Sequence, residues 1–159
     1  MHFVNSLYAI ALAFATTSIN ASPIANQADE FATLDKRAVI DCGESYRFTT
    51  AAQEKGYNDA IAHLDAGTTV KAAGAAGTEY PHYYGDSQGL ITTSACTGAG
   101  LIDYREYPVF VTDTTTFVAG MQAGQERVVI ARFPNRVRVK CGIISHRGQT
   151  GGNFKFCGI

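Results

Sequence analysis

RVVIARFPNRVRVKCGIISH, residues 127–146, decides the architecture. Two runs dense in β-branched residues, Arg127 to Phe133 and Val137 to Ser145, meet at Phe133-Pro134-Asn135-Arg136. Proline presets φ for a turn and asparagine tolerates the left-handed region, so an antiparallel hairpin is expected. Side chains alternate across a strand. Val137, Val139, Cys141 and Ile143 then share one face, and Arg138, Lys140, Ile144 and His146 share the other. The apolar set is expected to meet a helix, leaving His146 on an open, basic face. Arg127 takes that face too if its strand pairs through the Pro134 turn.

Further strands are expected over Leu101 to Val111 and Phe154 to Cys157. The helix comes earlier. Thr49 or Thr50 can cap its start, it runs through Ala52, Lys55, Ala60, Ile61 and Leu64 to about Asp65, and Gly67 stops it. Gly56 is an unfavourable residue in its middle. The Gly- and Ala-rich stretch from Ala66 to Gly77 reads as a flexible connection. The expected class is α+β: a single α-helix packed on a twisted antiparallel β-sheet.

The N-terminal end reads differently. Leu7 to Ala15 is a continuous apolar run too short to span a bilayer, and Ile19-Asn20-Ala21 suits a signal-peptidase site, although no Lys or Arg precedes the run. Lys36-Arg37 is a dibasic pair of the kind kexin-type proteases cut. Residues 1–21 are therefore expected to be a secretory signal, 22–37 a pro-segment and 38–159 one folded domain, secreted and extracellular, with no membrane span. Four cysteines, Cys42, Cys96, Cys141 and Cys157, suggest two disulfides with three possible pairings, stapling the fold. No Cys-x-x-Cys pair exists, which argues against a zinc site.

Formal net charge is −1, but from Arg127 onward the chain has seven basic residues and no Asp or Glu. Such an end suits a polyanion, and equally a solvated charged sheet face. Four residues from separate segments carry the chemistry: His82, Glu106, Arg127 and His146. A carboxylate, two imidazoles and a guanidinium suffice to cleave RNA without metal. Singly each is a weak signal; His2 and His63 are read as non-catalytic.

The combination is specific. Tyr80-Pro81-His82, Glu106-Tyr107-Pro108, Glu126-Arg127-Val128-Val129 and Ile144-Ser145-His146, followed by Gly148 and Asn153-Phe154, occur in one order. In this the chain closely resembles the fungal guanyl-specific ribonuclease family (the T-one type), over nearly all of Cys42 to Cys157. The resemblance implies that Glu106 takes the 2′-hydroxyl proton of single-stranded RNA and that His146 protonates the leaving 5′-oxygen, giving a 2′,3′-cyclic phosphate. Arg127 would offer a guanidinium fork to the phosphoryl oxygens, His82 and Tyr80 would stabilise developing charge, and Phe154 would wall the site. The surrounding cations are expected to favour ionisation of Glu106. No cofactor is implied, DNA should be inert for want of a 2′-hydroxyl, and a monomer is expected.

Base recognition in the family comes from the segment after the histidine, here Tyr84, Gly85, Asp86, Ser87 and Gln88, together with Gly152. Tyr84 matches the aromatic that stacks on the purine. Ser87 replaces a second aromatic, and Gln88 replaces a glutamate that accepts guanine N–H groups, so a broader purine preference is expected. A cysteine five residues before the acid histidine is similar to the purine-preferring U-two type, which implies Cys42–Cys157 and Cys96–Cys141. The family also suggests a cis Tyr80–Pro81 bond. A non-catalytic or host-directed RNA-binding effector on the same fold is one alternative, and a ribotoxin another.

Overall fold

Thr49 and Gly67 bound the main helix as the capping chemistry expects. In the computed structural model, which describes residues 39–74 and 77–159, helix α1 spans Thr50–Ala66. The Thr49 hydroxyl accepts from Ala52 N–H at 3.2 Å, and Gly67 takes the left-handed φ of 64°. Gly56 has a packing reason: a Cβ there would come to 3.0 Å from the Val109 side chain, so the missing side chain lets helix and sheet approach. The expected signal and pro-segment lie outside the described residues.

Strands β1 (Ile40–Asp41) and β2 (Arg47–Phe48) form a small hairpin before the helix. After it, β3 (Val70–Lys71) pairs with β4 (Glu79–Tyr80), so the Gly/Ala-rich connection holds a strand that its composition hides. The Tyr80–Pro81 bond is cis. The main sheet is β5 (His82–Tyr84), β6 (Asp103–Pro108), β7 (Glu126–Arg132), β8 (Arg138–Ser145) and β9 (Lys155–Gly158), antiparallel and in sequence order. A four-residue helix α2, Ser94–Thr97, precedes β6. The fold is α+β, with one main helix on antiparallel sheets. The expected hairpin is β7–β8, turned by a 3₁₀ segment at Pro134–Arg136 in which Asn135 has φ 57°. The strand expected from Leu101 to Val111 is shorter, Asp103–Pro108.

Two cores flank the sheet. On the helix face Phe48, Ala60, Tyr107, Val128, Ile130 and Ile143 pack together. On the opposite face Tyr84, Ile91, Cys96, Val129, Ala131, Cys141 and Ile144 do so. β7 lies at the centre, buried on both sides, which is why Val128 to Ala131 reads as an unbroken apolar run. Both disulfides have the implied pairing, and each serves one core: Cys42–Cys157 the helix face, Cys96–Cys141 the other.

The alternation expected for β8 needs correction. Val129 pairs with Gly142 but Ile130 with Lys140, so Cys141 is an extra residue, a β-bulge. Gly142 has φ 123°, and a Cβ on it would meet Gly158 O at 2.4 Å and the Phe156 ring at 2.7 Å; no side chain fits. The bulge shifts the parity by one. Val139 and Cys141 therefore belong to the core away from the helix, and only Ile143 of the expected apolar set reaches the helix-face core. Arg138 and Lys140 face α1 instead, pairing with Asp65 and Glu54. Arg132 likewise pairs with Asp103, and Arg147 with Glu126 and Glu44. Much of the basic end is thus neutralised internally by acids from earlier in the chain.

Candidate active site

Strand register assembles the chemistry on the face away from α1. His82 lies opposite Glu106, and Glu106 opposite Val129. Arg127, two residues before Val129, shares its face, because successive side chains alternate. Just past the end of β8, the His146 amide donates to Gln125 O at 3.0 Å, tying the histidine to the start of β7. The expectation that His146 and Arg127 share the face opposite the helix holds, although the bulge changes the route to it.

His82, Glu106, His146 and Phe154 line one pocket of about 360 Å³ together with Tyr84, Gly85, Asp86, Ser87, Gln88 and Gly152. Tyr80 and Arg127 sit behind it. Arg127 is 5% exposed, and its Nη2 donates to the Tyr80 hydroxyl at 3.0 Å. The guanidinium is largely committed: its terminal nitrogens donate to the carbonyls of Ala123, Gly124 and Glu126. Its Nε is buried without a hydrogen-bond partner and lies 3.8 Å from Glu106 Oε1. The terminal nitrogens therefore do not offer the free bidentate fork that the family resemblance implies; Nε is the guanidinium nitrogen beside the carboxylate.

Glu106 receives no hydrogen bond among the described residues. Burial pushes its carboxyl up to about 7, against the opposing pull of Arg127. This corrects the expectation that neighbouring cations would favour ionisation. The nearest cation is too far away, and too occupied, to offset desolvation. The His146 Nδ1–H donates to Asn153 O at 2.7 Å, since a carbonyl only accepts. That bond leaves Nε2 for the pocket. Burial lowers the His146 pKa and Arg127 lowers it further, with the Asn153 bond and Glu126 acting the other way. The Phe154 ring covers the imidazole at a centroid distance of 3.5 Å.

The segment after β5 is held by Asp86, whose carboxylate accepts from the Tyr84 hydroxyl and from the amides of Leu90 and Ile91. Burial, and next the charge of Asp86, raise the Tyr84 hydroxyl pKa, so it stays a donor. The Tyr84 ring packs edge-on against Phe154 at 5.6 Å. Gln88 bonds the Phe154 main chain twice. The Asn153 contact with His146 is one that residue types could not reveal, because it is made by a carbonyl every residue has. His63 is structural as expected, bonded to Thr68 and stacked on Tyr107.

A larger cavity, about 560 Å³, opens on the helix face around Tyr46, Phe48, Phe110, Glu126 and Arg147. Size does not make it the reactive site: it contains no histidine, and its carboxylate and guanidinium bond each other at 3.0 Å. The smaller pocket brings Glu106, His82 and His146 together.

A family model described as ribonuclease matches residues 35–158. Guanyl-specific ribonuclease U1 of Ustilago sphaerogena is 30% identical over 118 residues, covering 74% of this chain and 93% of that protein.

Proposed function

This chain belongs to the ribonuclease family that includes the fungal guanyl-specific enzymes, and from that membership we propose a secreted, metal-independent endoribonuclease that cleaves single-stranded RNA 3′ of purines. The observation that carries the reading is a single pocket with a carboxylate free of hydrogen bonds, Glu106, and an imidazole already oriented through Nδ1, His146. Glu106 accepts the 2′-hydroxyl proton as the 2′-oxygen attacks phosphorus. The 5′-oxygen leaves with the proton of His146 Nε2, and a 2′,3′-cyclic phosphate remains. Its hydrolysis runs the two roles in reverse. The Arg127 Nε–H and His82 face the charge that develops on the phosphoryl oxygens.

With the Glu106 carboxyl near 7 and His146 below its ordinary 6.5, the ionised-base, protonated-acid pair is a minority form of the free enzyme. An RNA phosphate entering between them favours the imidazolium. Tyr84 offers an apolar edge to the base, and position 88 lacks a carboxylate to accept guanine N–H groups, which favours purines generally over guanine alone. Two disulfides suit an oxidising, extracellular destination. The nucleophile belongs to the substrate, so DNA should be inert, and a monomer holds every group the reaction needs.

The test is cleavage of RNA and of GpC, ApC and UpC by the purified protein in EDTA. GpC and ApC should yield cyclic phosphates and UpC should persist. No cleavage, or equal cleavage by a His146→Ala variant, would sink the proposal.

A further inference from the structure

Gln88 is exposed, yet one residue 66 positions away engages both ends of its amide. Its Nε2 donates to Phe154 O at 3.0 Å, and Phe154 N donates to its Oε1 at 2.8 Å. Only one orientation of the amide satisfies both partners, because Phe154 presents one donor and one acceptor. The side chain thus acts as a short strand partner for Phe154 just before β9 begins.

What Phe154 carries makes this contact consequential. The preceding carbonyl, Asn153 O, takes the Nδ1–H of His146 at 2.7 Å, and the Phe154 ring lies over the same imidazole. Gly151 and Gly152, immediately before, both have positive φ and no side chain to brace the loop. The Asn153 amide is tied back within the turn, to Thr150 O.

We propose that Gln88 is a positioning residue: its amide clips the Phe154 main chain and thereby holds the Asn153 carbonyl and aromatic cover that orient His146. Reading the base is secondary for this side chain, since its hydrogen-bonding edge is already turned to Phe154. A glutamate could keep only one of the two bonds. An ionised carboxylate still accepts from Phe154 N, but it has no donor for Phe154 O and would repel that carbonyl.

The inference rests on His146 being the acid of the proposed reaction, so its test has one readout with substrate and one without. Gln88→Met keeps the length and removes both bonds; Gln88→Glu keeps one. In the full protein, Gln88→Met should lower kcat about tenfold on both GpC and ApC, with KM changed less than about twofold, because misplaced catalytic groups cost turnover. Nuclear magnetic resonance should find solvent exchange of the His146 Nδ1 proton about tenfold faster, with Gln88→Glu in between. Unchanged exchange in Gln88→Met overturns the proposal. So does a loss confined to KM on GpC, which would make Gln88 a base reader. If the wild type cleaves no RNA, the enzymatic reading fails, while the exchange measurement still decides whether Gln88 orients the imidazole.

Discussion

Glu106 and Glu126 lie on neighbouring strands of one sheet, point to opposite faces, and are nearly equally buried, at 6% and 4% exposure. Each has an arginine beside it. Glu126, on the helix face, accepts from Ser145 Oγ at 3.2 Å and from Arg147 Nε at 3.0 Å. Arg147 in turn lies 3.4 Å over the Tyr46 ring and reaches Glu44. Glu106, on the other face, receives no hydrogen bond among the described residues, and the guanidinium next to it has spent its terminal nitrogens on main-chain carbonyls and the Tyr80 hydroxyl. Burial alone therefore does not tell the two apart; hydrogen bonding does. A satisfied carboxylate holds strands together, and an unsatisfied one is left able to take a proton.

The largest separation between them should come from Glu106→Gln. Removing the proposed general base should slow cleavage by roughly 10²–10⁴. The same change should stabilise the fold at high pH. Folding raises the Glu106 pKa from 4.5 to about 7, so the folded state binds its proton more tightly than the unfolded one. The group's contribution to stability is then full below pH 4.5 and is lost as pH rises through about 7. A neutral glutamine does not titrate, so above pH 7 the variant should exceed wild type by up to about 3 kcal/mol. Urea unfolding at pH 4 and pH 8 measures it. A variant no more stable than wild type at pH 8 would mean that Glu106 is better solvated than its burial implies.

Glu126 should respond with the opposite sign. Glu126→Ala leaves the Arg147 Nε and the Ser145 hydroxyl without their acceptor at the start of the central strand, which should destabilise by about 3 kcal/mol. Glu126→Gln retains an acceptor and should cost about 1 kcal/mol, with cleavage within about threefold of wild type. Denaturant midpoints of the two variants, read beside their activities, check this. A large activity loss in the folded Glu126→Gln protein would join the two faces functionally and dissolve the distinction.

How much of this contrast the chain announces depends on how local its causes are. Turn residues at Pro134 and Asn135 and caps at Thr49 and Gly67 act within a few positions, so the hairpin and the helix are legible. The Gly142 bulge is not, because it answers to crowding by Gly158 and Phe156, which only tertiary pairing brings near. The family resemblance points to Glu106 and His146, which the fold brings into one pocket, yet residue types suggested an easily ionised carboxylate. Its desolvation is set by strands up to 24 positions away. Ion pairs such as Arg132 with Asp103 and Lys140 with Glu54 were hidden for the same reason, and a basic tail in sequence became a neutralised sheet in space.

The smallest expected difference concerns the disulfides, one for each core. Cys42–Cys157 closes a separation of 115 residues and Cys96–Cys141 one of 45. If each acts by restricting the unfolded chain, their contributions differ only through the logarithm of loop length. Replacing the first pair by alanines should then cost about 0.8 kcal/mol more than replacing the second. Thermal or urea unfolding of the two double variants resolves this. Catalysis supplies the second axis. Cys141 is the bulged residue of β8, packed with Ile144 and Val129 directly beneath the site, whereas Cys42 and Cys157 belong to the helix face. Loss of Cys96–Cys141 should therefore lower turnover more than loss of Cys42–Cys157, even though it costs less stability. The reverse ranking in both measurements would mean that the faces are not mechanically separable, and that the sheet passes strain from the helix side to His146.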